Sequence, residues 1–197
     1  AEFSGGTNVI SGRNAQGKTN LLEAVYMLSC GKSFRTRFDR ELTGFGYSAA
    51  EILADVTSHD REQTIRIIMQ PGTAKKITVN GVRKSASELS EVINAVLFCP
   101  DDLNLIKEGA AVRRRLLDNA ISQIRPRYAE LLSDFNKLYE NKSRILKDWH
   151  EKPSLLDALD EFSDAMCRAS AQLIRYRAAF AARLDEAARP IHSEFSG

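Results

Sequence analysis

A chain of 197 residues with 43% hydrophobic content has enough apolar material for one large domain or two modest ones. Its 28 basic and 26 acidic side chains leave a formal charge of only +2, so bulk charge gives no case for nucleic acid or acidic substrates, and any DNA-facing surface must be local. Cys30, Cys99 and Cys167 are too dispersed for a metal-ligand spacing or a disulfide framework, no apolar run approaches the roughly 20 residues of a membrane span, and no basic-then-apolar leader opens the chain; together these place the protein in the cytoplasm, away from membranes.

In chain order, Thr7 to Ser11 favours a strand, a glycine-bearing loop follows, and Leu21, Leu22, Val25, Tyr26 and Leu28 then recur at helical spacing. From Ala50 to Val82, Ile52, Val56, Ile65, Ile67, Ile77 and Val79 alternate with polar residues and are punctuated by Pro71-Gly72 and Asn80-Gly81, which predicts antiparallel strands joined by turns. Ser85 and Glu88 have capping-box spacing for a short helix, and Ala95 to Cys99 reads as a buried strand ended by Pro100.

Beyond Pro100 the pattern is helical: Leu103 to Lys107, Val112 to Ile121, Tyr128 to Trp149 and Leu155 to Leu184. In the last of these, Leu155, Leu159, Phe162, Met166, Ala169, Leu173, Tyr176 and Phe180 repeat in steps of four and three, the seam of a two-helix coiled coil. Leu131, Phe135, Leu138, Ile145 and Trp149 supply the facing seam, so the two segments predict an antiparallel hairpin arm. The expected division is 1–102, a phosphate-binding lobe with a β subdomain, and 103–197, the helical arm. A compact helical bundle is the other arrangement compatible with this pattern.

The chemistry concentrates in Gly12-Arg13-Asn14-Ala15-Gln16-Gly17-Lys18-Thr19, a glycine, four residues, then Gly-Lys-Thr. A nucleoside triphosphate needs many donors at once, and glycines let backbone N–H groups converge on its phosphates. Lys18 is placed to reach the β- and γ-phosphates, the Thr19 hydroxyl to ligand Mg²⁺, and the helix beginning near Lys18 to add its positive end. Nucleotide contacts are therefore expected from Gly12 to Asn20. Hydrolysis would also need an acidic group that holds metal or orients water. The run ending in Pro100, Asp101 and Asp102 is one candidate, although both aspartates equally suit a helix start.

Three segments resemble the RecF family of bacterial ATP-binding recombinational-repair proteins. The first runs from Asn8 through the phosphate loop and Asn20 to Ala24, and the second is Gly31-Lys32-Ser33-Phe34-Arg35. The third is Phe98-Cys99-Pro100-Asp101-Asp102-Leu103, leading to Arg113-Arg114-Arg115-Leu116-Leu117-Asp118. The resemblance implies an α/β P-loop NTPase lobe like the heads of SMC and ABC ATPases, with an antiparallel β subdomain and a projecting helical arm.

It further implies binding of ATP and Mg²⁺, ATP-driven homodimerisation, association with DNA gaps and single-strand/double-strand junctions, and work with RecO and RecR in loading recombinase during DNA replication, recombination, repair and the SOS response. It places Gly12, Asn14, Gly17, Lys18, Thr19 and Asn20 at phosphate-loop positions. Ala15 stands where related ATPases often have glycine, a departure that matters little if its φ is negative. Asp101 and Asp102 fall near a nucleotide-sensing loop of related ATPases.

Arg35 and the run Arg113, Arg114 and Arg115 are candidates for DNA or partner contacts, because guanidinium groups grip phosphate in a bidentate fork. The competing reading of the run is solvated side chains or pairing with a nearby acid such as Asp118. His59, His150 and His192 are isolated and receive no role.

A family member is expected to continue past Gly197 into the signature motif and the Walker B strand, and this chain is expected to begin after the first strand or strands of the lobe. The full-length protein is thus expected to be a slow, DNA-responsive ATPase and this chain by itself inactive. Two alternatives stay open: a complete small P-loop kinase or NTPase with Asp101 as metal ligand, recognisable by parallel pairing of the stretches ending at Ser11 and Cys99, and a non-enzymatic module working through the hairpin from Tyr128 to Leu184.

Overall fold

The computed structural model describes residues 1–36, 38–58, 60–105 and 107–196, excluding the side chains of Asp101 and Asn104. The chain divides into two compact units, Ala1–Leu97 and Phe98–Gly197. His59 lies outside the described residues.

In the first unit, strands β1 (Ala50–Ser58), β2 (Arg61–Met69), β3 (Lys76–Val79) and β4 (Val82–Lys84) form an antiparallel sheet in sequence order. The alternation predicted from sequence is realised: Ile65, Ile67, Met69, Ile77 and Val79 face inward and are buried, with Ile52, Ala54 and Val56 of β1 packed beside them. The β3–β4 turn has positive φ at both Asn80 (51°) and Gly81 (81°), the handedness that matches strand twist, which is why Asn-Gly suits it. The Asn80 side chain accepts a hydrogen bond from the Thr64 N–H at 2.8 Å, pinning this turn to β2.

The inner face of the sheet is covered by helix α1 (Lys18–Cys30) through Met27 and Leu28 and by the 3₁₀ segment Ala86–Glu91 through Leu89, with Val92 just after it. The capping box foreseen from Ser85 and Glu88 is present, the Glu88 carboxylate accepting from the Ser85 N–H at 2.7 Å and from Lys84 Nζ at 2.8 Å. These donors, the Lys84 ammonium first, lower the Glu88 pKa to about 2.

Helix α1 stops at Gly31, whose φ of 66° lets its N–H return to the Met27 carbonyl at 2.7 Å. The Gly31 carbonyl then accepts from Lys75 Nζ at 2.7 Å, and the same ammonium reaches Asp39 Oδ1 at 2.8 Å. A residue ahead of the sheet's third strand thereby fixes the end of α1.

Two expected strands do not form ladders. Residues 4–8 instead close a local loop in which Asn8 Oδ1 accepts from the Ser4 N–H at 2.9 Å and Asn8 Nδ2 donates to the Ser4 carbonyl at 2.9 Å. This side-chain-to-backbone bonding competes with strand pairing, and Val9 stays exposed. Residues 95–99 likewise join no ladder, Val96 and Phe98 are exposed, and the Cys99 N–H is taken by Asp102 Oδ2 at 2.7 Å. The parallel pairing that would favour a complete small kinase is thus not found among the described residues.

The second unit is helical: α2 (Ala110–Ile124), α3 (Pro126–Asp148) and α4 (Leu159–Ser196), with 3₁₀ segments at Pro100–Asn104 and Pro153–Ala158. Every seam position predicted on the last two helices is buried or half-buried, Ile145, Ala169 and Leu173 most completely. Tyr128 at the start of α3 stacks edge-on against Tyr176 far along α4, with ring centroids 5.4 Å apart, as an antiparallel hairpin requires.

Two features depart from expectation. Helix α2 packs against both hairpin helices near Tyr128 through Ile121 and Leu117, so that end is a three-helix cluster. Helix α4 also runs on to Ser196, past the expected end at Leu184 and through Pro190, a residue that removes one backbone donor without ending this exposed helix.

The three helices are tied by one polar cluster. Asp118 on α2 accepts from Arg177 Nε at 2.7 Å and Arg177 Nη2 at 2.9 Å, and also from the Tyr128 hydroxyl. Arg177 Nε lies 3.2 Å from that hydroxyl as well. The partner of Asp118 is therefore an arginine 59 residues away, not the adjacent Arg113–Arg115 run. Burial, and then the neighbouring carboxylate, push the Tyr128 phenol well above its ordinary range, while Asp118 raises Arg177.

Candidate nucleotide site

The loop from Gly12 to Gly17 turns sharply into α1, with φ of 148° at Gly12, 62° at Ala15 and 81° at Gly17. The first helical hydrogen bond runs from the Leu21 N–H to the Gly17 carbonyl at 2.9 Å, so the amides ahead of it have no intrahelical acceptor. Gly17 offers no side-chain cap, and no acidic residue occupies the first turn. That leaves an uncapped, positively polarised helix end facing solvent, the arrangement that favours an anion.

Lys18 bends back across the loop, its Nζ donating to the carbonyls of Gly12 at 2.7 Å and Arg13 at 2.6 Å. An ammonium has three N–H groups, so the one left over is held over the loop for an incoming acceptor. Arg13, Asn14, Gln16, Thr19 and Asn20 are exposed around it. The condition set for Ala15 is not met. Its φ is positive, and an alanine in that region carries a cost of about 1 kcal/mol that glycine avoids. Ala15→Gly is therefore expected to raise stability by up to about 1 kcal/mol, measured by chemical unfolding followed on the first unit.

The segment Gly31–Arg35 returns to the flank of α1 just after this loop. Glu23, with a side chain only 9% exposed, accepts from the Ser33 hydroxyl and from Arg35 Nη1 at 3.4 Å. The same Arg35 nitrogen donates to Asn20 Oδ1 at 2.8 Å, while Ser33 Oγ accepts from the N–H groups of Arg35 (2.9 Å) and Thr36 (3.0 Å). Tyr26 and Phe34 meet edge-on with centroids 5.8 Å apart and close the apolar side.

Arg35 is thus tied to the residue that follows Thr19, with a guanidinium still half exposed. Glu23 and Ser33 are the members that sequence reasoning left without a role. Their signal was a carboxylate three residues after Asn20 on a helix whose nearby return segment carries a serine and an arginine.

No family model matches the chain. Among curated proteins it is 38% identical to the DNA replication and repair protein RecF of Agathobacter rectalis over 196 residues, 99% of this chain and 54% of that protein. It is 41% identical to the protein of the same description from Clostridioides difficile over 162 residues, 81% of this chain and 43% of that one. The chain belongs to the RecF family.

It spans about half the length of the curated RecF relatives it matches. Solved structures of the recombination mediator protein RecF-ATP and RecF-ATPrS in the RecFOR pathway superpose on it with a TM-score of 0.90 each, at 35% and 34% identity, covering 100% of this chain and 53% of theirs. The α/β P-loop NTPase class expected from the sequence is the fold of this chain.

The remaining predicted residues lie in the second unit. Arg113, Arg114 and Arg115 are all exposed on α2, with Arg113 Nη1 donating to the Glu108 carbonyl at 2.8 Å. Asp102 caps the 3₁₀ segment Pro100–Asn104 by accepting from Cys99, the helix-start role open to it from the outset. The side chain of Asp101, named as a possible metal ligand, lies outside the described residues. Among the described residues no three His, Cys, Asp or Glu side chains are grouped to hold a metal, and no helix is long and apolar enough to cross a membrane.

Proposed function

We propose that this chain provides the ATP-binding loop and helical arm of a cytoplasmic recombinational-repair protein, in which ATP drives two copies together on DNA gaps and single-strand/double-strand junctions and recombinase is loaded with RecO- and RecR-type partners. The observation that carries this reading is the loop itself: Lys18 Nζ held over the carbonyls of Gly12 and Arg13, in front of an uncapped helix start.

The residues fit a magnesium nucleotide. At phosphate loops Mg²⁺ is held by the substrate phosphates, waters and the loop's Ser or Thr hydroxyl, together with a carboxylate from a separate strand. The exposed Thr19 hydroxyl at the first turn of α1 is placed to supply that hydroxyl oxygen. When bound, the ion neutralises phosphate charge and orients the terminal phosphoryl group.

The chain's own part is to gather the triphosphate on backbone N–H groups from Gly12 to Asn20 and to place the Lys18 charge against it. Arg35, tied to Asn20, and the exposed Arg113–Arg115 run are assigned to DNA or to the second copy. Slow, DNA-responsive hydrolysis belongs to the full-length protein, as does its place in recombination and the SOS response.

The test is self-association of a protein extended to the full length of its curated relatives, measured by sedimentation with magnesium and ATP or ADP. The expected result is a dimer with ATP, a monomer with ADP, and a monomer with either for Lys18→Ala. Equal dimerisation by Lys18→Ala and wild type would remove the switch.

A further inference from the structure

We propose that the outer face of the antiparallel sheet, at a hollow bounded by Arg66, Lys76, Thr78 and Gly81 with Arg83 beside it, binds the phosphate backbone of DNA. This rests on the DNA-associated function proposed above and gives it a surface in the first unit, separate from the nucleotide loop and from Arg35.

Register places these residues together. Arg66 on β2 pairs with Thr78 on β3, and Thr78 pairs with Arg83 on β4, so the three form one row across the sheet on the same face. At about 4.8 Å between strands, the two arginines stand roughly 10 Å apart at the backbone, and Lys76 lies about 7 Å along β3 from Thr78. The hollow lined by Arg66, Ile68, Lys76, Thr78 and Gly81 has a volume of about 200 Å³ and no carboxylate in its lining.

Its charge is available. Among the described residues, Lys76 and Arg83 have no acidic partner. Arg66 is paired through Nε with Glu51, which stands opposite Ile68 on the same face and offsets part of its charge, while no hydrogen bond engages its two terminal nitrogens among the described residues. The acids Asp55 and Glu62 lie farther along, Asp55 bonded to Thr64 at 2.7 Å. Gly81 has φ of 81° and open space where a Cβ would stand, so a bulky ligand can approach the turn closely.

The layout selects the ligand. A small anion is held by donors converging on a point, whereas here the cations are strung along a row and down one strand of a rigid sheet. That spacing fits a polyanion whose charges repeat regularly, as each strand of duplex DNA does with about one phosphate per 3.4 Å of helix axis. The Thr78 hydroxyl, central in the row, adds a neutral donor of the kind that commonly contacts phosphate.

The experiment uses the protein extended to the full length of its relatives and a fluorescently labelled gapped duplex, with binding followed by anisotropy over a salt series. Lys76→Ala with Arg83→Ala is expected to weaken binding about tenfold and to reduce the slope of log affinity against log salt by about 2. Thr78→Lys, which adds a cation at the centre of the row, is expected to tighten binding several-fold and steepen the slope by about 1.

Wild-type affinity and slope in both variants would overturn the sheet surface while leaving DNA association standing, and an acidic protein segment would then be the occupant to seek. A wild-type protein that does not bind this DNA at any salt would overturn both.

Discussion

Arg177→Leu is expected to destabilise the helical unit by about 2–4 kcal/mol, somewhat less than the roughly 3–5 kcal/mol for breaking a fully buried ion pair, because the Arg177 and Asp118 side chains are 22% and 15% exposed. The loss arises mainly from what is left behind. Among the described residues Asp118 would keep only the Tyr128 hydroxyl as donor, and a largely shielded carboxylate would lack its counter-charge. The double replacement Asp118→Leu with Arg177→Met removes both charges and should recover most of that loss.

Urea unfolding followed by far-ultraviolet circular dichroism checks both, and a change under about 0.5 kcal/mol for Arg177→Leu would show that the cluster contributes no more than an exposed pair. The same cluster predicts an alkaline limit. The folded Tyr128 pKa is raised above its ordinary 10.0, so its contribution is complete below that value and is lost as pH rises through the higher folded one. Tyrosinate absorbance should therefore show one of the tyrosines ionising late, together with unfolding.

Gly31→Ala is expected to cost about 2–5 kcal/mol in the first unit, from two sources that a second substitution separates. A side chain at φ of 66° is disfavoured by about 1–2 kcal/mol, and the added Cβ would stand 2.8 Å from Ala86 Cβ and 3.3 Å from Ile77 Cδ1. Overpacking of that kind adds about 1–3 kcal/mol. Ala86→Gly in the same protein removes the closer clash and should restore the packing part only. Thermal unfolding of the single and double variants measures the split. Because Gly31 ends α1 and leads into the segment carrying Ser33 and Arg35, the variant should also loosen the Asn20–Arg35 bond beside the nucleotide loop.

Much of this architecture is written locally in the chain. Alternation from Ile52 to Val79 with Asn80-Gly81 specifies the hairpins, because a strand with one buried face repeats every two residues and that turn needs two positive φ angles. The seam from Leu155 to Phe180 was equally legible, since a hairpin of helices buries a stripe at steps of three and four. The loop Gly12–Thr19 could be recognised because its residue types have few other joint uses.

What escaped depends on partners distant in sequence. Thr7–Ser11 and Ala95–Cys99 have strand-like composition, but a strand exists only with a ladder beside it, and composition does not supply one. The Asp118–Tyr128–Arg177 cluster joins three helices across 59 residues, so no spacing rule announces it. Local rules suggested instead that Asp118 would meet its neighbouring arginines. The positive φ of Ala15 was hidden for another reason: alanine conceals a left-handed position that glycine would have advertised.

The most direct test of the central claim is a calorimetric titration of magnesium ATP into the protein extended to the full length of its relatives, beside its Lys18→Ala variant. The geometry of Lys18 over the Gly12 and Arg13 carbonyls predicts saturable binding by wild type and a loss of at least about tenfold in the variant, the effect of removing one charge-assisted contact. Equal affinity in the two proteins would contradict it, and the loop from Gly12 to Asn20 would not be where the nucleotide is held.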